Sequence, residues 1–178
     1  MIQNTVDRLS VDQTRVAAKI GHNMNFQFQA LPAGQFQHLA GHNDAELARL
    51  NVQRVVVDEK PGYPCRVSLV DAEIGETVYL LSHTHHDVMS PYRAVGPIYV
   101  RPDVPTARPG VNEIPAMFWH RLLSVRAYDG AAFLVEAEVV HGAALENTIK
   151  HLLADSRVAY LHIHNARPGC FNCRVVRA

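Results

Sequence analysis

The chain has 178 residues, 48% of them apolar, and its seventeen basic residues balance seventeen acidic ones. That length suits one domain burying roughly 70% of its unfolded surface, and the even charge argues against a broad nucleic-acid footprint or an anionic-membrane binder. Three cysteines, an odd number, argue against a closed disulfide framework.

Residues 1–23 are polar and weakly patterned, so they read as an extension that is poorly structured or forms one short helix. They carry charges where a signal peptide needs an apolar run, and no apolar run approaches transmembrane length. The expectation is a soluble, reduced, cytoplasmic protein whose single domain spans 24–178. Phe26, Phe28 and Ala30 alternate with glutamines, as in a strand. Gln35 to Ala40 and Asp44 to Leu50 suit short helices, with Asn43 or Asp44 as cap of the second. Gln53 to Asp58 is a strand rich in β-branched residues. Cys65 to Leu69 returns to alternation, and Asp71, Glu73 and Glu76 read as a solvated acidic turn. Thr77 to His86 is a strand with Tyr79, Leu81, His83 and His85 on one face; His85-His86 and His120 read as surface. Gly96 to Arg101 is another strand. Residues 102–115 hold four of the ten prolines and read as a long connection or an ordered lid. Asp129-Gly130 joins a hairpin of Arg121 to Tyr128 with Phe133 to Val140, the latter facing Phe133, Val135, Ala137 and Val139 inward.

The longest helical pattern covers about 142–155, with Leu145, Ile149, Leu152 and Leu153 forming one stripe. It leads into Val158 to Val176, which gathers two histidines, an Asn, an Arg and two cysteines. Alternation predicts Ala159, Leu161 and Ile163 packed under the helix. Tyr160, His162 and His164 then line the opposite, half-wet face. Pro168-Gly169 turns the chain. A two-residue turn sets His164 opposite Cys173, whereas a bulge or longer loop shifts the register. The fold class is α+β: a mostly antiparallel sheet, one long helix on one face, and short N-terminal helices.

No stretch is a complete catalytic signature. G-x-S-x-G, phosphate-loop and dinucleotide glycine motifs are absent. The His-x-His pairs His83/His85 and His162/His164 each put two imidazoles about 7 Å apart on one strand face, a spacing that suits metal ligands. Zinc held by His162, His164, Cys170 and Cys173 is therefore the metal alternative. It requires the turn to persist through Phe171-Asn172, because Cys170 and Cys173 otherwise face opposite ways. Without it no cofactor is predicted. For cysteine chemistry the candidates are Cys65, beside Arg66, and Cys170, near Arg167 with His164 upstream. Burial is the simpler role for Cys65.

The runs PGYPCRVSLVDAEIGETVYLL, SPYRAVGPIYVR, RLLSVRAYD and RVAYLHIHNARPGC, in that order, resemble the bacterial domain-of-unknown-function family 1203 over about residues 24–178. The resemblance implies no activity. It marks Cys65, Arg66, Asp71, Gly75, Glu76, Ser90, Tyr92, Arg93, His162, His164, Asn165, Arg167 and Cys170 as recurring positions.

The leading functional expectation is a polar cleft for a small anionic molecule. Arg66, Arg93 and Arg167 would supply charge, and Tyr92, His162, His164 and Asn165 would orient the ligand. Any catalysis would rest on Cys65 or Cys170 beside a histidine. The alternatives are the zinc protein and a non-enzymatic protein-interaction module, and homodimerisation stays open.

Overall fold

A computed structural model describes residues 24–178. The expectation for residues 1–23 falls outside them. Among the described residues eight strands form two antiparallel sheets. The five-stranded sheet runs in the order β1-β8-β7-β5-β6, and the three-stranded sheet in the order β2-β3-β4. The strands are β1 (Phe26–Gln29), β2 (Val52–Val56), β3 (Thr77–His86), β4 (Ala94–Val100), β5 (Leu122–Tyr128), β6 (Leu134–His141), β7 (Tyr160–Asn165) and β8 (Phe171–Arg177). Among the described residues two α-helices join them, α1 (Asp44–Arg49) and α2 (Leu145–Ala154). Asn43 and Glu46 close a capping box on α1, each side chain accepting from the other residue's backbone N–H. The α+β class therefore holds. The helix expected over 142–155 is shorter than the word long implies: a 3-10 turn at Gly142–Ala144 runs into ten α-helical residues.

The larger core lies between α2 and one face of the five-stranded sheet. Leu145, Ile149, Leu152 and Leu153 are all buried there against Leu161 and Ile163 of β7, as the stripe predicts. Phe26 and Phe28 of β1 join from the sheet edge, and Phe28 stacks on Phe118 at 5.5 Å. Strand β1 pairs with β8, and Ala178 N–H donates to Asn25 O at 3.1 Å, so the two ends of the described chain lie side by side. The alternation fails just before β7. Val158 is buried in the core and Ala159 is exposed, because the strand's regular twofold repeat begins only at Tyr160.

Several segments depart from the periodic reading. Cys65 to Leu69 is a buried turn, in which Leu69 N–H donates to Cys65 O and Leu69 takes a left-handed φ of 52°. Asp71 is 5% exposed and forms a two-oxygen ion pair with Arg121, so it is not a solvated acid. Strand β6 lies at the sheet edge, where Phe133 is 47% and Val139 62% exposed; only Val135 and Val140 reach the core. Residues 102–115 are an ordered strap. Asn112 pairs with Phe26 through both its backbone N–H and its side-chain oxygen, and Ala107 N–H donates to Val67 O.

One buried side chain reaches across the seam between the two sheets. Arg66 is 1% exposed, and its guanidinium donates to the carbonyls of Pro64 and of Phe171, the first residue of β8. Unsatisfied carbonyls at such a seam would each cost the desolvation of a buried acceptor, which these bonds avoid.

Candidate functional site

The face of the five-stranded sheet turned away from α2 is laid out by strand register. Arg126, His162 and Arg174 lie directly opposite one another on β5, β7 and β8. On one side of this row is Ser124, His164 and Phe171; on the other are Tyr128 and Tyr160. Histidine and tyrosine therefore alternate with Leu161 and Ile163 along β7, the pattern expected from the sequence. The expected half-wet cleft does not follow: His162 is 3% exposed and His164 1%.

The far end of β3 covers this face. A bulge interrupts the β3–β4 pairing between Thr84 and His86. A bulge brings consecutive side chains to the same side of a strand, and both His85 and His86 reach His162, with ring centres 6.3 and 4.8 Å away. His85 also lies 5.3 Å from His164 and stacks on Phe171 at 5.0 Å. His86 is held at both nitrogens. Its Nδ1 lies 2.8 Å from Tyr92 O, and its Nε2 lies 2.7 Å from the Tyr160 hydroxyl. A carbonyl only accepts, so Nδ1 carries the proton and Nε2 accepts from Tyr160. These two histidines, read from the sequence as surface, are thus part of the cluster. The repeated His-x-His spacing hinted at a second imidazole contribution, but nothing in the sequence marks the bulge.

The second hairpin is also bulged. Ile163 pairs with Cys173 and His164 with Phe171, so the two-residue-turn register is corrected and His164 has no cysteine opposite. The turn is longer, with Asn165 N–H bonded to Cys170 O and Gly169 N–H to Asn165 O. Gly169 takes a left-handed φ of 76° that suits glycine. His164 Nδ1 lies 2.9 Å from Gly169 O and fastens this turn to the strand.

Burial dominates the electrostatics. It pushes His162 down to about 2, His164 to about 3 and His85 to about 4, with neighbouring imidazoles and Arg126, Arg174 and Arg66 adding to the effect. All three rings are neutral at pH 7. Burial likewise raises Tyr128, Tyr160 and Cys173 and lowers Arg66 to about 10.

A family model described as "Protein of unknown function (DUF1203)" matches residues 62–177. The chain belongs to the DUF1203 family. No curated protein and no solved structure matches it. In this DUF1203 chain every residue of the imidazole cluster falls inside the matched segment, whereas β1, α1 and β2 precede it.

The expected site residues do not all come together. His162 and His164 stand at the centre of the cluster, and Arg66 borders it from the seam between the sheets. Tyr92 lies at its rim, packed edge-on to Tyr128 and Phe133. Asn165 and Asn172 bond to each other at 2.9 Å and brace the hairpin. Arg93 is an exposed partner of Asp87, and Arg167 is exposed in the turn, so neither carries charge into the buried cluster. The cysteines do not assemble. Cys65 is wholly buried, its sulfur accepting from Ser68 and Arg101 N–H; Cys173 points into the α2 core; Cys170 contacts Pro168 O. A site made of His162, His164, Cys170 and Cys173 is incompatible with this geometry, because Cys173 is on the opposite face of the sheet.

Proposed function

We propose that the sheet face bearing Arg126, His162 and Arg174 binds a small anion of the carboxylate or phosphate class. The observation that supports this is the row itself. Two guanidinium-bearing residues flank a neutral imidazole on adjacent strands, their backbones about 10 Å apart at ordinary strand spacing.

Among the described residues, Arg54, Arg93, Arg101, Arg121 and Arg157 each hold a carboxylate; Arg66, Arg126 and Arg174 hold none, nor do Arg49, Arg108, Arg167 and Arg177, but only Arg66, Arg126 and Arg174 bear on the histidines. Arg126 donates only to Ser124 Oγ, at 3.3 Å, and Arg174 lies over the Tyr160 ring at 4.1 Å. The same three arginines depress the histidines, which places their positive field on the cluster. Uncompensated positive charge beside apolar walls favours an anion, and a guanidinium fork matches its oxygens. Arg66 contributes field from within the seam, while Arg126 and Arg174 supply free donors. No cysteine enters this reading.

Calorimetric titration of inorganic phosphate and of succinate into the chain, in metal-free buffer at pH 7, tests it. Saturable binding of at least one is expected, weakening as salt rises and at least about tenfold weaker in Arg126→Gln and Arg174→Gln. Absence of saturable binding up to millimolar concentration, or affinities unchanged in both variants, would sink the proposal.

A further inference from the structure

We infer that the recess between Phe36 and Tyr79 is a second binding site, one for a small neutral aromatic ring that carries an N–H or O–H donor. This goes beyond the anion reading and does not rest on it.

The recess has a volume of about 420 Å3, inside the range of about 300–1,000 Å3 usual for small-molecule sites. It lies against the smaller core, which the three-stranded sheet builds around Cys65, Val67, Tyr79 and Val100. Phe36 stands between two 3-10 turns, Ala33–Gln35 and Gln37–Leu39, and packs on that core without being fully buried. Close-packed interiors leave few voids wider than a water molecule, so apolar groups around a space of this size need something to hold them apart. Here it is the strap that begins at residue 102. Its residues 102–105 form one wall of the recess. Ala33 N–H donates to Thr106 Oγ1 at 2.7 Å and Ala107 N–H to Val67 O at 2.8 Å, so the strap is fastened on both sides. Pro102 and Pro105 fix two of its φ angles, and Asp103 takes a left-handed φ of 52°. Arg101, just before it, gives its backbone N–H to the buried Cys65 sulfur at 3.2 Å. The walls are thus formed before any ligand arrives, which keeps the ordering cost of binding small.

Charge selects the ligand. The Arg101 guanidinium lines the recess but is already held by Glu76. Asp103 lines it too, is exposed, and holds no cation among the described residues. An anion would meet that carboxylate and find only a guanidinium that is already engaged. A cation would meet Arg101 and, beside Tyr79, Arg54, whose guanidinium lies 5.6 Å from the ring centre. A neutral ring avoids both penalties. Phe36 and Tyr79 offer it aromatic surface, with Val67 and Val104 as aliphatic walls. A polar hydrogen on the ring finds acceptors in the Asp103 carboxylate and the Gln37 amide oxygen, which belong to the same lining. A neighbouring recess of about 400 Å3 shares Phe36 and is lined by Leu81 and His83, but no residue of the strap closes it. The strapped side is therefore the one assigned.

The test titrates indole into the full, 15N-labelled chain in buffer free of phosphate and carboxylate, and follows backbone amide shifts by NMR. The compound 1-methylindole serves as the same ring without its N–H. Expected are saturable shifts centred on Phe36, Val67, Tyr79 and Arg101. Methylation should weaken binding at least about threefold, the effect of one lost hydrogen bond. Ala33→Leu enlarges a lining side chain and should weaken indole binding at least about tenfold, while Glu138→Gln on the edge strand β6 leaves it unchanged. The site is overturned by the absence of saturable shifts, by shifts centred instead on Leu81 and His83, or by 1-methylindole binding as tightly as indole. Should Ala33→Leu fail to fold, nuclear Overhauser contacts in the unaltered chain decide. Contacts from indole to the Phe36 and Tyr79 rings support the assignment, and contacts to other aromatic rings alone overturn it.

Discussion

A histidine closed off from water among other imidazoles gives up its proton well before neutrality. His162 and His164 are in that position, and the consequence is a stability that depends on pH. The unfolded chain protonates them near 6.5, whereas the folded chain refuses the proton until about 2 and 3. Above 6.5 both states are neutral and these residues add no pH dependence. As pH falls below 6.5 the unfolded state takes up protons that the folded state does not, so stability drops by about 1.4 kcal/mol per pH unit for each fully shielded ring. The melting temperature of metal-free protein should therefore be level between pH 8 and 7 and decline between 6 and 5, before most carboxylates titrate. In NMR spectra the ring Hε1 signals of His162 and His164 should not move between pH 8 and 5. A titration of either with a midpoint near 6 contradicts the buried assignment. Sequence singled out both residues and their face, because alternation reports direction. It did not report wetness, because that depends on what the other sheet lays on top. Arg66 shows the same limit: the sequence makes it a supplier of charge to a ligand cleft, yet the guanidinium is spent on two backbone carbonyls.

Strands with regular alternation and the α2 stripe are the elements that could be read in advance, since their period is a property of the chain alone. Bulges are not. One extra residue on β3 brings His86 into the cluster beside His85, and another on β8 removes Cys173 from opposite His164. Both arise from tertiary fit, and neither carries glycine at the bulge to announce it. The β6 edge was misread for a related reason: a periodic apolar face predicts burial only if something packs on it. Element α2 makes the sharpest stability test. Leu152, 1% exposed in the core, should cost about 2–5 kcal/mol on replacement by alanine. Gly142, where α2's leading turn crosses residues 118–119, has no room for a methyl group. A Cβ there would fall 2.0 Å from Phe118 O. Gly142→Ala should thus destabilise by at least about 1–3 kcal/mol even though alanine favours helix. Denaturant midpoints for both variants equal to that of the parent chain would contradict this packing.

At the scale of the molecule, composition and pattern suffice for the class, α+β and largely antiparallel, but not for the partition into two sheets. Which strand neighbours which is set by long-range pairing, and periodicity is silent on it. The cluster depends on that partition, since β3 brings His85 and His86 from one sheet onto the histidines of the other. No helix among the described residues is long and apolar enough to cross a membrane.

The pairing of β1 with β8 also means that order along the polypeptide and order in space are separable here. Residue 25 touches residue 178, so a few glycines and serines could close the described chain into a ring without moving a strand. Cutting that ring at the exposed Gly130 would produce a circularly permuted protein whose sheets, core and histidines are all retained. It should melt cooperatively and show the same far-ultraviolet dichroism as the parent. A permutant that stays unfolded would mean that the native order of synthesis, and not only the final contacts, is needed to reach this fold.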